Sequence, residues 1–242
     1  MEEKKSNKFI ESLALPAKFV MLIWGIHLFQ WASGIDLRFL GTLPKQIEGL
    51  RGIIFTPLLH KDFGHIISNT PPLFVLSAII MFFYRRVAIP SFLMIYLLTG
   101  LAVWLFARTG YNHIGASGVI YGLVAFVFWS GIFRRNIKSI VLALIVVFYY
   151  GSMVLGIIPG DELVSWESHL MGGLVGIFVA YWFKEKIEKD EEREKYSWET
   201  EPETEKKPFL DQTVFDKTKE QRRQEEQQSK DDLGGWFSNR TW

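Results

Sequence analysis

The sequence predicts an all-α protein that crosses a membrane six times. Of its 242 residues 49% are hydrophobic, and the apolar residues form six stretches near the length of about 20 residues that a membrane-spanning helix needs. Backbone groups in lipid must be hydrogen-bonded within the chain, and these stretches are too long for barrel strands, so each is expected to be a helix. The predicted spans are residues 16–32, 64–84, 87–107, 117–133, 138–157 and 169–183.

Charge divides the chain into two parts of different character. Residues 1–183 carry 14 Lys and Arg against 9 Asp and Glu, whereas residues 184–242 carry 13 against 17, so that 30 of those 59 residues are charged. A segment this polar buries too little apolar surface to fold alone. We therefore predict a cytoplasmic N-terminal segment (1–15), a membrane domain (16–183) and a polar cytoplasmic tail (184–242) that is mostly disordered, with a short helix near 217–228.

Basic residues recur at alternate ends of the spans and predict the orientation. Lysines precede the first span, Arg85 and Arg86 follow the second, Arg134 and Arg135 follow the fourth, and Lys184 follows the sixth. With six spans, all of these residues fall on one side, which the positive-inside rule makes cytoplasmic. Both termini are then cytoplasmic, and the first span, which lacks a small-residue cleavage site, is interpreted as an anchor rather than a signal peptide.

The first outer loop, residues 33–63, is long and mixes apolar with charged residues. Two pieces of it, 35–40 and 47–51, are candidates for short amphipathic segments at the membrane interface. A plain surface loop is the alternative interpretation. The chain has no cysteine, so neither a disulfide nor a thiolate nucleophile is available.

Two polar residues stand at matching ends of different spans. Ser117, within the sequence Gly115-Ala116-Ser117-Gly118, opens the fourth span, and His169 opens the sixth. The topology places both at the outer end, and polar groups at membrane depth are costly and usually functional. A serine is a weak nucleophile that needs an adjacent base. We therefore predict a catalytic pair with Ser117 as nucleophile and His169 as general base.

Small residues on both helices indicate how the pair meets. Gly118 and Gly122 lie four residues apart beside Ser117 on the fourth span. Small residues at this spacing let membrane helices approach closely. On the sixth span we assign His169 and three glycines to one face. No aspartate stands where a third catalytic member would be expected, so Tyr121 is predicted to pack on the imidazole and hold it. The three glycines are Gly172, Gly173 and Gly176.

A tetrahedral intermediate needs hydrogen-bond donors for its oxyanion. Ser117 offers its own backbone N–H at a helix N-terminus. His65 and Asn69 lie four residues apart at the outer end of the second span, on one helical face, and both can donate. Together with Gly115, they are the predicted residues lining the site.

Each signal has a structural alternative. A glycine-flanked serine occurs by chance in spans where glycines only permit packing, and His169 alone is better explained as a capping or interfacial histidine. His65 and Asn69 alone are as consistent with hydrogen bonds that bridge helices. The argument for a site rests on four polar groups from three spans at one depth.

At this point the chain resembles the rhomboid family of intramembrane serine proteases over residues 45–183. The resemblance rests on His60, His65 and Asn69, on the Gly-x-Ser-Gly motif with Tyr121 four residues later, and on His169 followed by Gly172 and Gly176. It implies a six-helix rhomboid-like bundle with nucleophile Ser117, base His169 and oxyanion donors His65 and Asn69, and a structural His60. It also implies no metal and no cofactor. The Trp-Arg pair frequent in the family's first outer loop is Leu50-Arg51 here.

The predicted function is a serine endopeptidase that cleaves single-span membrane proteins near the outer leaflet of a bacterial inner membrane. The expected partners are these substrates and the lipid bilayer, with no nucleic acid. The aromatic end of the tail, at Trp236 and Phe237, is either a docking motif for a protein partner or an uncommitted end. One alternative function is a catalytically silent adaptor of the same fold that binds client helices. A transporter is disfavoured because the sequence shows no internal repeat.

Overall fold

The computed structural model describes residues 2–159, 165–186 and 216–238. Within these ranges the regular structure is helical, apart from one isolated bridge between Thr42 and His113. Short 3-10 helices lie at Arg38–Leu40, Ile47–Arg51 and Thr56–Leu58 before α3 and at Gly151–Ile157 after α6. The α-helices are α1 (Glu2–Ser33), α2 (Gly52–Phe55), α3 (Phe63–Phe83), α4 (Ala88–Phe106), α5 (Ser117–Arg134), α6 (Ile137–Tyr150), α7 (Trp166–Trp182) and α8 (Lys219–Ser238).

Five helical segments of the described residues are long and apolar enough to cross a membrane, and they coincide with the first five predicted spans. Helix α7 covers the sixth predicted span with 17 residues, or about 26 Å at 1.5 Å per residue, close to the lower limit for a span. The sixth span therefore stays a prediction. The five segments are Phe9–Ser33, Phe63–Phe83, Ala88–Phe106, Ser117–Arg134 and Ile137–Ile157.

Several helix ends differ from the predicted span ends. Helix α1 begins at Glu2 rather than at residue 16, and α7 begins at Trp166 rather than at His169. The fifth span changes from α-helix to 3-10 helix at Gly151. Hydropathy marks the part of a helix that suits lipid, whereas its hydrogen-bonded ends depend on the flanking residues, which here include good helix formers such as Glu and Lys.

Helix α5 is the central helix of the membrane domain. Of the residues in its apolar stretch 56% are buried, against 17% in the apolar stretches of Phe9–Ser33 and Ile137–Ile157. Ile120, Leu123, Phe126 and Val127 of α5 are each at most 2% exposed and belong to the main apolar core. A helix that is apolar on every side is suited to this position.

Glycines bring α5 and α7 into close contact. A methyl group at Gly172 would overlap the carbonyl oxygen of Gly118, and one at Gly176 would overlap that of Gly122. The two backbones therefore touch along two helical turns, as the small residues predict. Gly173 was predicted to pack with them on the same face, and this packing is wrong. Residues at i, i+3, i+4 and i+7 share a helical face, but Gly173 lies at the edge of that face, and nothing is within 4 Å of its Cβ position.

The connection between α4 and α5 is hydrogen-bonded to the chain that precedes α3. Thr42 and His113 exchange two backbone hydrogen bonds of 3.0 and 2.9 Å. The Thr56 hydroxyl donates to the His113 carbonyl, and the Gly115 N–H donates to the Thr56 carbonyl. These bonds fix the backbone that leads into Ser117.

The chain divides into two units, Met1–Glu192 and Arg193–Trp242, and the second contains α8. Within it, α8 runs to Ser238, beyond the short helix predicted near 217–228, over a sequence rich in Glu, Gln, Lys and Arg. These residues favour helix. Most of the segment predicted to be disordered, residues 187–215, lies outside the described residues.

The glycine contact predicts different effects for two adjacent substitutions. Gly172→Ala should lower the melting temperature in detergent, because the new methyl group meets the Gly118 carbonyl and overpacking typically costs about 1–3 kcal/mol. Gly173→Ala is the matched control and should leave the melting temperature unchanged or raise it, because alanine favours helix by about 1 kcal/mol. Equal melting temperatures for the two variants would contradict the contact.

Candidate active site

A polar cavity of about 910 Å³ lies at the end of the bundle where α3, α5 and α7 begin. It receives side chains from three helices and from the connections before α3 and α5. Five of the six predicted site residues line it. These are His65, Asn69, Ser117, Tyr121 and His169.

Ser117 is the first residue of α5 and is half-buried. At the first position of a helix, the backbone N–H has no partner within the helix, so it is available to a ligand. Gly115 makes the turn into the helix with φ +110°, a conformation that side chains disfavour. A Cβ at Gly115 would also lie 2.6 Å from the His65 ring, so glycine is required there twice over.

His169 lies in the first turn of α7 and is 8% exposed. Its Nδ1 is 2.9 Å from the carbonyl oxygen of Gly156. A carbonyl only accepts hydrogen bonds, so Nδ1 carries the proton. In the neutral imidazole Nε2 is then unprotonated, which is the form a general base requires.

Tyr121 stacks on the imidazole of His169, with ring centroids 4.1 Å apart and planes 8° from parallel. Its hydroxyl donates to the Met153 carbonyl at 2.6 Å. The 3-10 helix Gly151–Ile157 thus receives hydrogen bonds from both rings of the stacked pair. Tyr121 lies one turn after Ser117 on α5, so the stack joins the nucleophile's helix to the base.

Ser117 and His169 line the same cavity, but no hydrogen bond joins them in the described structure. Catalytic hydrogen bonds are often long before substrate binds, and they tighten in the complex. The direct contact of a Ser-His dyad therefore remains a prediction.

The two predicted oxyanion donors are held differently. The Asn69 side chain is 5% exposed, and its amide nitrogen donates to the His65 carbonyl one turn earlier at 2.7 Å. An amide nitrogen has two protons, so one remains for a ligand. The His65 ring packs edge-on against His60, with centroids 5.1 Å apart.

His60 has the surroundings of a structural residue. It is 2% exposed, and burial, with the neighbouring His65 and His27, lowers the pKa of His60 to about 3. It is therefore neutral at physiological pH. The His60 ring packs against the His65 ring. Asp62 caps α3 by accepting the His65 backbone N–H at 2.8 Å.

Sequence reasoning missed two groups near the reacting residues, the Gly156 carbonyl and the His113 side chain. The Gly156 carbonyl belongs to the backbone, so no side chain in the sequence indicates it. His113 is buried next to the start of α7, where Glu167 forms an ion pair with Arg108. An ionisable residue four positions before Ser117 was the available signal for His113.

Comparison with known proteins identifies the family. A sequence profile described as "Rhomboid domain" matches residues 48–186, more than half of the chain. This chain belongs to the rhomboid family. All six predicted site residues of this rhomboid protein lie inside the match. The family is one of intramembrane proteases, so the protein is an integral membrane protein, in agreement with its apolar helices.

Two mycobacterial proteins are similar to this rhomboid protein. An uncharacterized protein of Mycobacterium tuberculosis is 38% identical over 173 residues, which is 67% of this chain and 71% of the relative. An uncharacterized protein of Mycobacterium leprae is 33% identical over 173 residues, covering 67% and 68%. Both relatives are bacterial. In the described ranges, no three His, Asp or Glu side chains are grouped to hold a metal ion.

The position of Gly156 on the 3-10 helix predicts that a side chain there would disturb the stacked rings of Tyr121 and His169. A methyl group at Gly156 would overlap the Tyr121 hydroxyl and lie 3.2 Å from His169 Nδ1. Gly156→Ala should therefore displace the stacked rings and slow labelling of Ser117 by a fluorophosphonate about 10- to 100-fold, as small misplacements of catalytic groups do.

Gly151→Ala is the control on the same 3-10 helix, because its new methyl group meets only a Val147 methyl at 3.8 Å. It should label at the wild-type rate. Equal labelling rates for both variants would show that the Gly156 carbonyl does not hold the imidazole.

Proposed function

We propose that this rhomboid protein is an intramembrane serine endopeptidase that cleaves single-span membrane proteins near the outer leaflet. The observation that supports this most directly is the state of His169. Its Nδ1 is hydrogen-bonded to the Gly156 carbonyl, and His169 lines the same polar cavity as Ser117. A hydroxyl and an unprotonated Nε2 on one cavity are the two groups that acyl transfer needs.

In the proposed reaction, the Ser117 oxygen attacks the carbonyl carbon of the scissile peptide bond while Nε2 of His169 accepts the hydroxyl proton. The resulting imidazolium gives that proton to the leaving amine as the C–N bond breaks. Water then attacks the acyl-enzyme by the same route in reverse, which releases the acid and restores the Ser117 hydroxyl. Stacking against Tyr121 limits rotation of the imidazole through both steps.

The oxyanion of each tetrahedral intermediate is stabilised by the Ser117 backbone N–H and by the side chains of His65 and Asn69. Donors from a helix N-terminus add a favourable dipole. The Asn69 amide keeps one proton beyond its bond to the His65 carbonyl, and His65 lines the same cavity. Oxyanion donors of this kind typically contribute about 10²–10³ in rate each.

The proposal includes six spans with both termini in the cytoplasm, and with that topology the cavity lies at the outer leaflet of a bacterial inner membrane. Hydrolysis needs water, and the polar lining of the cavity suits a solvated entry from outside. A substrate helix hides its carbonyls in hydrogen bonds between residues four apart. It must unwind locally, which favours substrates with glycine or other weak helix formers near the cut.

A catalytically silent client-binding protein is the second candidate, because no direct hydrogen bond joins Ser117 to His169. It requires the same fold and cavity but no activated hydroxyl. Reaction of Ser117 with a fluorophosphonate separates the two functions, since only an activated serine reacts quickly.

Ser117→Ala should abolish cleavage of a reconstituted single-span substrate and abolish fluorophosphonate labelling, because removal of the nucleophile typically costs about 10⁴-fold or more in rate. Ser68→Ala is the matched control: Ser68 lines the same cavity, and its hydroxyl donates to the His65 carbonyl of its own helix. It should keep both activities. Cleavage retained in Ser117→Ala, or a wild-type protein that neither cuts nor labels, would reject the protease.

A further inference from the structure

Resting on the proposed protease function, we propose that His113 is a positioning residue that sets the place of His169 relative to Ser117. His113 lies in the connection that leads from α4 into Ser117, and its side chain contacts the start of α7, which carries His169. It is not expected to touch the substrate. It acts by joining the two backbones that carry the reacting groups.

The His113 imidazole makes its contacts with two serine hydroxyls. Its Nδ1 is within hydrogen-bond distance of the Ser165 hydroxyl and is 3.2 Å from the Ser168 hydroxyl. The two hydroxyl oxygens are 2.6 Å apart. Ser165 precedes α7, and its carbonyl accepts the His169 backbone N–H at 3.3 Å. The three side chains therefore lie directly beside the base.

The backbone of His113 is fixed as firmly as its ring. It exchanges two hydrogen bonds with Thr42, and its carbonyl also accepts the Thr56 hydroxyl at 3.0 Å. The side chain is 3% exposed. Because both the ring and the backbone of His113 are fixed, the residues that are hydrogen-bonded to the ring are held in place as well. Here these residues lie at the start of α7.

An ion pair also joins the connection between α4 and α5 to the first turn of α7. Arg108, at the other end of the connection, pairs with the buried carboxylate of Glu167 and lies over the rings of Tyr111 and Trp166. A buried carboxylate in the first turn also suits the helix dipole of α7. Burial lowers the pKa of His113, although the nearby Glu167 carboxylate opposes this.

Positioning of this kind is needed because no direct hydrogen bond holds Ser117 and His169 together before substrate binds. The glycine contact between α5 and α7 sets the distance between the helices. It leaves the first turn of α7 to be fixed by local contacts. The hydrogen bonds of His113 to Ser165 and Ser168 supply those contacts at the end where the reaction occurs.

The test compares three substitutions of His113 with a control substitution on the same connection between α4 and α5. His113→Ala should lower kcat and the fluorophosphonate labelling rate of Ser117 about 10- to 100-fold, with KM little changed, because the reacting groups are misplaced. His113→Asn places an amide near the Nδ1 position and should restore most of the rate. His113→Gln places its amide near the Nε2 position and should not.

Thr109→Ala is the control on the same connection, because Thr109 is exposed and is not among the residues that line the cavity. It should react at the wild-type rate. A Ser165→Ala/Ser168→Ala variant should resemble His113→Ala, and combining all three substitutions should add little further loss. Melting temperatures measured in parallel separate misfolding from misplacement.

The outcomes distinguish this inference from the proposed function. Normal labelling in His113→Ala, beside normal labelling of the wild-type protein, overturns the positioning role and leaves the protease intact. Asn and Gln variants that are equally slow and equally unstable show a merely structural role and also overturn it. A wild-type Ser117 that does not label rejects the protease, and the inference falls with it.

Discussion

The close contact between α5 and α7 is the constraint on which the rest of the site depends. Gly172 and Gly176 present hydrogens to the carbonyl oxygens of Gly118 and Gly122, an arrangement typical of weak C–H···O bonds between helices. Glycine costs each helix about 1 kcal/mol relative to alanine. The packing offsets this cost, and it brings the first residue of α5 beside the first turn of α7.

The contact alone does not orient the side chains, and the surrounding chain does this with backbone carbonyls and hydroxyls. The 3-10 helix Gly151–Ile157 accepts hydrogen bonds from both rings of the Tyr121–His169 stack. The connection into α5 is bonded to Thr42 and Thr56. Polar groups at membrane depth are costly unless they are hydrogen-bonded. The same hydrogen bonds that offset this cost therefore also hold the reactive rings in place.

The sequence alone predicted the catalytic candidates because their signals are local. Ser117 lies between glycines, Tyr121 follows one helical turn later, and His169 opens an apolar stretch, so periodicity and charge placed them at one depth. The family match agrees with the expected rhomboid resemblance. The roles of Gly156 and His113 were not predictable in this way, because each depends on where a distant segment turns back. The error at Gly173 arose because periodicity gives the face of a helix but not how much of that face the neighbouring helix covers.

The most direct test of the account is a cross-link between the two catalytic positions in native membranes. The chain has no cysteine, so a Ser117→Cys/His169→Cys variant carries only the two introduced thiols. A short bis-alkylating reagent should join them, with the linked peptides identified by mass spectrometry. Ser117→Cys/Leu174→Cys, whose second site is 52% exposed on α7, should not link. Linkage of the control pair without linkage of the catalytic pair would contradict the account.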